Sequence, residues 1–368
     1  MIYHLYRLHK RLTILFAILS IPRTGISQAD SLRKEEIPKT KLEGYTEAYY
    51  AFDFNKPTNN LRPEFLYNHV RHNEVNVNHA IIRASFNSDQ VRVNMALMTG
   101  NYAQYNLASE PGVLKNIYES HVGFKIKKNF WFDAGIFASH IGFESAISKD
   151  CWTLTRSIVA ENSPYYESGA KLSWSPSDKW LFSVLFLNGW QHIQRPAGNN
   201  TPAFGTQIVY KPNSRMTFNY STFIGNDNPD SLKQMRYYHN LYGIMQFTKK
   251  FGATTGFDFG MQQTKKNAST YNVWYTPVII LRYYFTEKYG IAARGEYYSD
   301  KNGVMIQSGT SNGFNVKGYS LNFDYFPANN VLFRVEGKLY DSKDRYFSVG
   351  NKLRTQNFCI TSSIAILF

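Results

Sequence analysis

The sequence predicts an all-β fold, a transmembrane antiparallel up-and-down β-barrel of about sixteen strands with short periplasmic turns and long extracellular loops. Three observations predict it. Apolar and polar side chains alternate along repeated segments, because a barrel strand faces lipid on one side and the lumen on the other. Short connections between the predicted strands also alternate with long connections along the chain. Beyond the N-terminal segment no run of eighteen apolar residues occurs, which excludes helical membrane spans.

Period-two alternation predicts each strand. In the segment 331–341, for example, Val331, Phe333 and Val335 share one face, whereas Arg334 and Glu336 share the other. Pro277 lies inside another predicted strand, where we expect it to disturb the ladder because proline has no N–H to donate. The predicted strands are 42–54, 78–87, 91–102, 117–126, 130–138, 165–174, 180–189, 202–210, 215–225, 237–248, 252–263, 271–285, 290–299, 314–325, 331–341 and 355–368.

Every second connection between these strands is short enough to be a tight turn. The intervening connections are longer, and the longest covers residues 139–164. This alternation requires an even number of strands and places both ends of the barrel in the periplasm. The predicted turns centre on Ser88-Asp89, Lys127-Lys128, Ser175–Asp178, Lys211–Ser214, Lys249-Lys250, Thr286–Lys288 and Pro327–Asn330.

The N-terminal segment has the pattern of a secretory signal peptide. Arg7, Lys10 and Arg11 precede a short apolar run over 12–21, and small residues end at Ser27. We therefore expect a signal peptide over 1–27, a periplasmic N-terminal tail over 28–41 and an outer-membrane barrel over 42–368. Export of this kind predicts the outer membrane of a Gram-negative bacterium as the location.

The chain is basic, with a formal net charge of +14. An exported protein does not normally meet nucleic acid, so we expect no nucleic-acid partner. We interpret the excess of basic residues instead as charge on the loops and in the lumen that favours anions. Cys151 and Cys359 lie far apart in sequence, and whether they pair stays open at this point.

About sixteen strands enclose a lumen that is too wide for side chains to fill, so water is expected inside. Alternation places many charged side chains on the lumen face. Two interpretations remain open for them: salt bridges that keep the wall round, and fixed charges that set ion preference. The candidates for the pore lining are Arg83, Arg92, Arg215, Arg282, Arg294, Arg334, Glu336 and Lys338.

The longest connection, Ser139 to Pro164, mixes charged and apolar residues without a strand period. A wholly extracellular loop would need fewer apolar residues. We predict that it folds into the barrel as a constriction; the alternative is an outward loop that packs on its neighbours. The residues expected to face the channel are Glu144, Asp150, Arg156 and Glu161.

Two short patterns could suggest other chemistry. His69 and His72 have a spacing that metal sites use, but on an irregular loop the signal is weak. Ser139 is followed by His140, which suggests an outer-membrane hydrolase, yet no acid or oxyanion partner can be assigned. We therefore expect no metal, no cofactor, no catalytic residue and no enzymatic activity.

Aromatic residues near the predicted strand ends fit the interfacial girdles of a membrane barrel. The members of this set are Tyr49, Tyr50, Tyr102, Tyr118, Tyr165, Tyr166, Trp180, Trp190, Tyr210, Tyr237, Tyr238, Tyr271, Tyr289, Tyr297 and Tyr298.

Four segments carry a resemblance to a known family: 44–55 (GYTEAYYAFDFN), 78–86 (NHAIIRASF), 153–174 (TLTRSIVAENSPYYESGAKLSW) and the closing strand that ends in Phe368. Together they resemble the OmpL-like putative β-barrel porins over essentially the whole mature chain. The resemblance implies an outer-membrane, porin-like barrel without catalytic residues. Phe368 also resembles the terminal signal read by the barrel-assembly machinery; the alternative is a chance aromatic on the lipid face.

The expected function is passive diffusion of small hydrophilic solutes or ions through a water-filled barrel. The expected partners are outer-membrane lipid, the barrel-assembly machinery, and small polar or anionic solutes. Two alternatives remain, a surface adhesin or binding barrel that acts through its extracellular loops, and an outer-membrane hydrolase. The solute, the oligomeric state and whether the lumen is open are not determined at this level.

Overall fold

The computed structural model describes residues 39–368, and in this part of the chain sixteen strands close into one barrel. The helices in this part of the chain all lack the length and hydrophobicity of a membrane span. The barrel strands are β1 (Lys39–Asp53), β2 (Val75–Asn87), β3 (Val91–Thr99), β4 (Ile117–Lys127), β5 (Phe130–Ala138), β6 (Tyr166–Ser177), β7 (Trp180–Leu187), β8 (Ala203–Asn213), β9 (Met216–Gly225), β10 (Arg236–Gln246), β11 (Phe251–Gln263), β12 (Tyr271–Tyr284), β13 (Tyr289–Asp300), β14 (Phe314–Ala328), β15 (Val331–Ser342) and β18 (Gln356–Leu367).

The topology is up-and-down, since each strand pairs antiparallel with its neighbours in the chain. The last strand closes the barrel by pairing with β1, where Tyr45 lies opposite Leu367 and Asp53 opposite Cys359. A small hairpin of β16 (Phe347–Val349) and β17 (Lys352–Arg354) forms a separate two-stranded sheet in the connection before β18.

The sixteen predicted strands are all present, and the differences concern their ends. β1 begins at Lys39, so residues 39–41 belong to the barrel rather than to the predicted tail. β3 ends at Thr99 because Gly100 has φ of +116° and the chain turns into helix α1 (Asn101–Asn106). The predicted signal peptide (1–27) and the rest of the tail lie outside the described residues.

Short turns join the strands at one end of the barrel and long connections at the other, as predicted. Following the rule for membrane barrels, the short end is periplasmic. The long connections are called L1 (54–74), L2 (100–116), L3 (139–165), L4 (188–202), L5 (226–235), L6 (264–270), L7 (301–313) and L8 (343–355). L3 contains helix α2 (Ile158–Glu161) and a 3₁₀ turn over Ser148–Asp150.

Side chains alternate across the wall as the sequence predicted. On β15, Phe333 and Val335 are exposed on the outside, whereas Arg334, Glu336 and Lys338 are buried inside. At Pro277 the ladder with β13 is interrupted, because the pairing goes from Tyr275 directly to Val278. The register on the two sides of this gap is the same, so proline removes local pairing without shifting the strand.

Outward-facing aromatic rings cluster near the short turns. The rings of Trp180 and Tyr210 stack with centroids 4.3 Å apart, and those of Tyr289 and Tyr325 with centroids 5.0 Å apart. Such rings suit the membrane interface. Other members of the predicted girdle are instead buried within the protein, in three separate apolar clusters: Tyr49, Tyr102, Tyr166, Trp190, Tyr238 and Tyr298.

The terminal Phe368 closes the barrel seam. Its backbone exchanges hydrogen bonds with Gly44, from Gly44 N to Phe368 O at 2.7 Å and back at 3.0 Å. Its ring lies over Gly44, where a Cβ atom would come within 2.3 Å of the ring. The ring is otherwise 75% exposed, so it remains accessible at the end of the chain.

Candidate functional site

L3 folds into the barrel, as the sequence predicted, and contacts strands on several sides of the lumen. Ser148 Oγ donates to Glu47 of β1 at 2.6 Å, and Leu154 N donates to Asn322 of β14 at 3.0 Å. At the start of α2, the backbone N–H of Ile158 donates to Glu296 of β13 at 2.5 Å. The loop therefore lies across the lumen rather than outside the barrel.

Arg334 of β15 binds L3 through backbone carbonyls. Its guanidinium donates to Ser148 O at 2.6 Å and to Cys151 O at 3.1 Å, and it pairs with Asp324 of β14 at 2.7 Å. Arginine suits this position because its donors are fixed in a plane and can serve a carboxylate and carbonyls together. The strand thus presents a charged side chain that fixes one part of the loop.

Arg294 and Lys338 bind the next part of L3. Arg294 donates to Thr155 O at 2.8 Å and pairs with Glu336 at 2.8 Å. Lys338 Nζ donates to Arg156 O and pairs with Glu296, both at 2.8 Å. Since all these charges are buried and paired, the network is costly to break at any single member.

The predicted pore-lining residues therefore fall into two groups. Arg294, Arg334, Glu336 and Lys338 face inward as predicted, but L3 covers them, and each is at most 2% exposed. They form the salt-bridge network that one sequence interpretation described. The network holds L3 as well as the barrel wall. The alternation of side chains along single strands could not indicate this contact with the loop.

The second group lies on the inner faces of β2 and β3 and stays partly exposed. Arg83 and Arg92 have side chains 28% and 32% exposed. Their partners are more deeply buried: Glu119 lies 3.6 Å from Arg83, and Asp133 Oδ1 lies 2.6 Å from Arg92 Nε. Lys125 is also partly exposed on this wall and pairs with Asp89, whose side chain is 50% exposed in the turn before β3. Among these three pairs the exposed side chains are therefore three cations and one carboxylate.

Two candidates differ from the prediction. Arg282 faces inward, but its guanidinium stacks 4.0 Å from the ring of Trp152 in L3, so it supports the loop. Arg215 is exposed in the turn between β8 and β9 and does not line the lumen wall. Its N–H donates to the side chain of Asn213 at 2.9 Å, which stabilises a tight turn where the sequence predicted the first residue of a strand.

Of the four predicted channel-facing residues of L3, only Asp150 is exposed. Glu144 accepts from Ser157 N at 2.9 Å, and the Arg156 guanidinium donates to carbonyls of its own loop, including Ala146 O at 2.8 Å. Glu161 is buried and accepts from Tyr67 N in L1 at 2.9 Å. Burial raises the pKa of Glu161 above its usual value. These three residues shape the loop instead of facing the channel.

L1 also enters the barrel, which the sequence analysis missed. Phe65, Leu66 and Val70 of L1 are buried in one apolar cluster with Ile158 and Val159 of L3. Inward aromatic residues of the strands complete this cluster: Phe223, Tyr238, Trp274, Tyr298, Phe314 and Tyr340. The sequence signal was available, since an apolar group in a loop has to be buried somewhere.

No hydrolase arrangement forms at Ser139 and His140. Ser139 Oγ accepts from Ile141 N at 3.1 Å, whereas the His140 Nε2 contacts Thr222 O at 2.9 Å, so neither activates the other. Within residues 39–368 no cluster of histidine, cysteine and acidic residues could hold a metal ion. Cys151 and Cys359 are unpaired, and burial raises the pKa of the Cys151 thiol to about 11.

The comparisons with known proteins agree with this geometry. A sequence model of the family described as "Putative beta-barrel porin-2, OmpL-like" matches residues 39–368. No curated relative matches the chain. Solved structures are similar in fold at low sequence identity. An anion-selective porin from Comamonas acidovorans is 7% identical, and the match covers 90% of this chain and 100% of that one with a TM-score of 0.60. The outer membrane channel DcaP of Acinetobacter baumannii is 10% identical, and the match covers 89% of this chain and 97% of that one with a TM-score of 0.58. OmpT of Vibrio cholerae, folded in vitro, is 12% identical, covers 92% and 100%, and has a TM-score of 0.57.

Proposed function

The chain belongs to the putative beta-barrel porin-2, OmpL-like family, and from this premise we propose that it lets small hydrophilic solutes diffuse passively across the outer membrane. It is a non-enzymatic barrel of the porin type. The observation that carries the proposal is the position of L3, which lies across the lumen, while the inward-facing Arg83 of β2 and Arg92 of β3 stay partly exposed.

The charge on this part of the wall supports a preference for anions. Arg83 and Arg92 are partly exposed, whereas their partners Glu119 and Asp133 are buried. Lys125 adds a third partly exposed cation, and its partner Asp89 is exposed as well. Fixed charges at a constriction set ion preference, because an ion of the same sign is repelled while it is partly dehydrated. Solutes that pass L3 therefore meet positive charge first.

Conductance of the purified protein in a planar bilayer tests the proposal. We expect single-channel current from the wild type, and a larger current after deletion of residues 145–160, because the deletion removes the loop from the lumen. Deletion of residues 265–269, which lie in the short loop L6, serves as a control and should leave the conductance unchanged. Equal conductance in all three proteins would contradict a constriction by L3.

Selectivity is tested separately by the reversal potential in a salt gradient. The double substitution Arg92→Gln and Lys125→Gln should shift the potential towards cations, because it removes two of the accessible positive charges. The control is Arg215→Gln, which removes a charge from an exposed turn. An unchanged potential in the double variant would exclude this wall as the selectivity element.

A second candidate is a surface-binding barrel with a closed lumen. The observation that favours it is the apolar cluster of L1 and L3, in which Phe65, Ile158 and Phe314 are each at most 3% exposed. The bilayer measurement separates the two functions, since a closed barrel passes no current until L3 is removed.

The signal peptide is a separate proposal. If residues 1–27 are removed on export, N-terminal sequencing of protein from isolated outer membranes should begin at Gln28. A mature chain that retains Met1 would contradict it.

A further inference from the structure

A cavity of about 590 Å³ lies beside L8, at the end of the barrel formed by the long loops. Its wall includes Leu339 of β15 and Phe358 of β18, which lie opposite each other in the sheet. Phe358 is exposed, whereas its chain neighbours Asn357 and Cys359 are buried inside the barrel. Because successive side chains of a strand face opposite sides, Phe358 faces outwards. The cavity is therefore on the membrane side of the wall and not in the lumen.

Three cations of L8 line the same cavity. Arg345 precedes the hairpin of β16 and β17, whereas Lys352 and Arg354 are the two ends of β17. All three are exposed. Among the ion pairs of residues 39–368, none includes any of these cations. Their positive charge is therefore available to a ligand.

The acidic residues of this region have other hydrogen-bond partners. Asp341 accepts from the Gln356 side chain at 3.2 Å, and Asp344 accepts from Asn312 Nδ2 in L7 at 2.8 Å. Neither aspartate lines the cavity. An anion that enters the cavity meets three cations and no carboxylate on its walls.

Contacts with the barrel anchor the hairpin that carries these cations. The ring of Phe347 is buried and stacks on that of Tyr340 of β15, with centroids 6.1 Å apart. Tyr346 N donates to Arg354 O at 2.9 Å. Because the backbone of the hairpin is already ordered, less conformational freedom is lost when a ligand binds.

Apolar side chains continue from the cavity along the outer wall. Leu353, at the centre of β17, lines the cavity and is 51% exposed. The ring of Phe54 contacts that of Phe358, with centroids 5.2 Å apart, and Ile360 is exposed on the same face of β18. Cations beside an apolar membrane-facing surface match a lipid, because arginine and lysine bind its phosphate while the wall contacts its acyl chains.

We propose that this cavity binds a phosphorylated glycolipid of the outer leaflet, with its phosphate beside the three cations of L8 and an acyl chain along the outer wall. Three cations favour a head group with more than one negative charge. Thr355 and Gln356 also line the cavity and add neutral hydrogen-bonding groups that suit a sugar. The inference goes beyond solute diffusion and rests only on the proposed orientation of the barrel, in which the long loops are extracellular.

Native mass spectrometry of the purified full-length protein tests the inference. The detergent is tetraethylene glycol monooctyl ether, which is uncharged, and the probe is lipid A that carries two phosphates. We expect lipid A to bind the wild type, and the triple substitution Arg345→Gln, Lys352→Gln and Arg354→Gln to lower its affinity by about tenfold or more. Leu353→Asn keeps the three cations and should lower the affinity by about threefold, because it removes part of the apolar wall.

The matched control is the triple substitution Lys265→Gln, Lys266→Gln and Lys301→Gln. It removes the same charge from exposed positions in L6 and L7 that do not line the cavity. This control should bind lipid A as the wild type does. A shift in gel mobility on heating shows whether each variant is folded, and Leu353→Asn provides a separate readout if the triple variant of L8 does not fold.

Four results would overturn the inference. Lipid A does not bind the wild type, or the control triple variant loses as much affinity as the triple variant of L8. Inorganic phosphate at millimolar concentration displaces lipid A, which would indicate a site for free anions. Phosphatidylglycerol binds as tightly as lipid A, which would exclude selection of a glycolipid.

Conductance in a planar bilayer separates this failure from failure of the proposed function. Single-channel current without binding of lipid A refutes only the lipid site. Binding of lipid A by a protein that passes no current refutes solute diffusion and retains the site.

Discussion

Substitution of Arg334 by methionine should release L3 from the lumen while the barrel remains folded. The guanidinium joins Asp324 of β14 to the loop carbonyls of Ser148 and Cys151. Methionine fills a similar space but provides no donor. Asp324 then keeps only the donor of Asn322, at 2.6 Å, for its buried carboxylate.

The size of the expected increase in released L3 follows from the burial of the ion pair between Arg334 and Asp324. Removing one partner of a buried, hydrogen-bonded ion pair costs about 3–5 kcal/mol. Departure of L3 lets water reach Asp324, so much of this cost is relieved when the loop leaves. At about 1.4 kcal/mol for each factor of ten, the population of the released loop should rise on the order of a hundredfold to a thousandfold.

Cys151 provides the assay. Its thiol is 5% exposed and donates to Ser145 O at 3.3 Å, so a maleimide reagent should reach it only when L3 opens. In a Cys359→Ser background, Cys151 is the single thiol of the mature chain. The labelling rate of Arg334→Met should exceed that of the background by the factor estimated above.

Two further variants make the test specific. Arg92→Met removes another inward arginine with a carboxylate partner, Asp133, and should leave the labelling rate unchanged. Adding Asp324→Asn to Arg334→Met removes the unpaired charge and should restore part of the protection. If Arg334→Met labels no faster than Arg92→Met, the argument that Arg334 holds L3 is wrong.

Three other predictions concern the wall, the seam and the loops. Gly135→Ala should lower the free energy of unfolding by roughly 1–3 kcal/mol in urea titrations, because Gly135 has φ of +129° and a Cβ atom would lie 2.2 Å from Ser120 O. The control is Gly295→Ala, whose Cβ atom would have its nearest contact at 3.6 Å. Equal losses of stability in the two variants would contradict the explanation. Phe368→Ala should reduce the yield of assembled barrel in cells but not the refolding of purified protein in detergent, because the exposed ring is proposed to act as a recognition signal. A parallel loss in both measurements would indicate a structural role. Hydrogen bonds from Asn312 in L7 hold the pKa of Asp344 in L8 below its usual value. This contact between the two loops is therefore fully present above the ordinary aspartate pKa of about 4, and it weakens as the pH falls through the lower pKa of the folded protein. Protease cleavage of L8 should then increase only at acid pH, and Asp344→Asn should remove this pH dependence.

The strands could be predicted because their pattern is local. On β15, the change from Phe333 to Arg334 to Val335 reflects lipid and lumen on opposite sides of one strand, and neither depends on which strand is adjacent. The same reasoning placed Arg83, Arg92, Arg294 and Lys338 on the inner face. Strand ends were less well predicted, because Gly100 and the side chain of Asn213 end or turn the chain through contacts of their own.

The sequence by itself determined the fold class, the strand number and the inner face of the wall, because hydrocarbon and water select side chains at every second position. It also indicated that L3 enters the barrel, since its apolar residues need burial. Only the tertiary structure decided that Arg334 faces Ser148 O and Cys151 O and that L1 packs beside L3. These contacts join residues far apart in the chain, and their geometry depends on barrel closure, which no local pattern specifies.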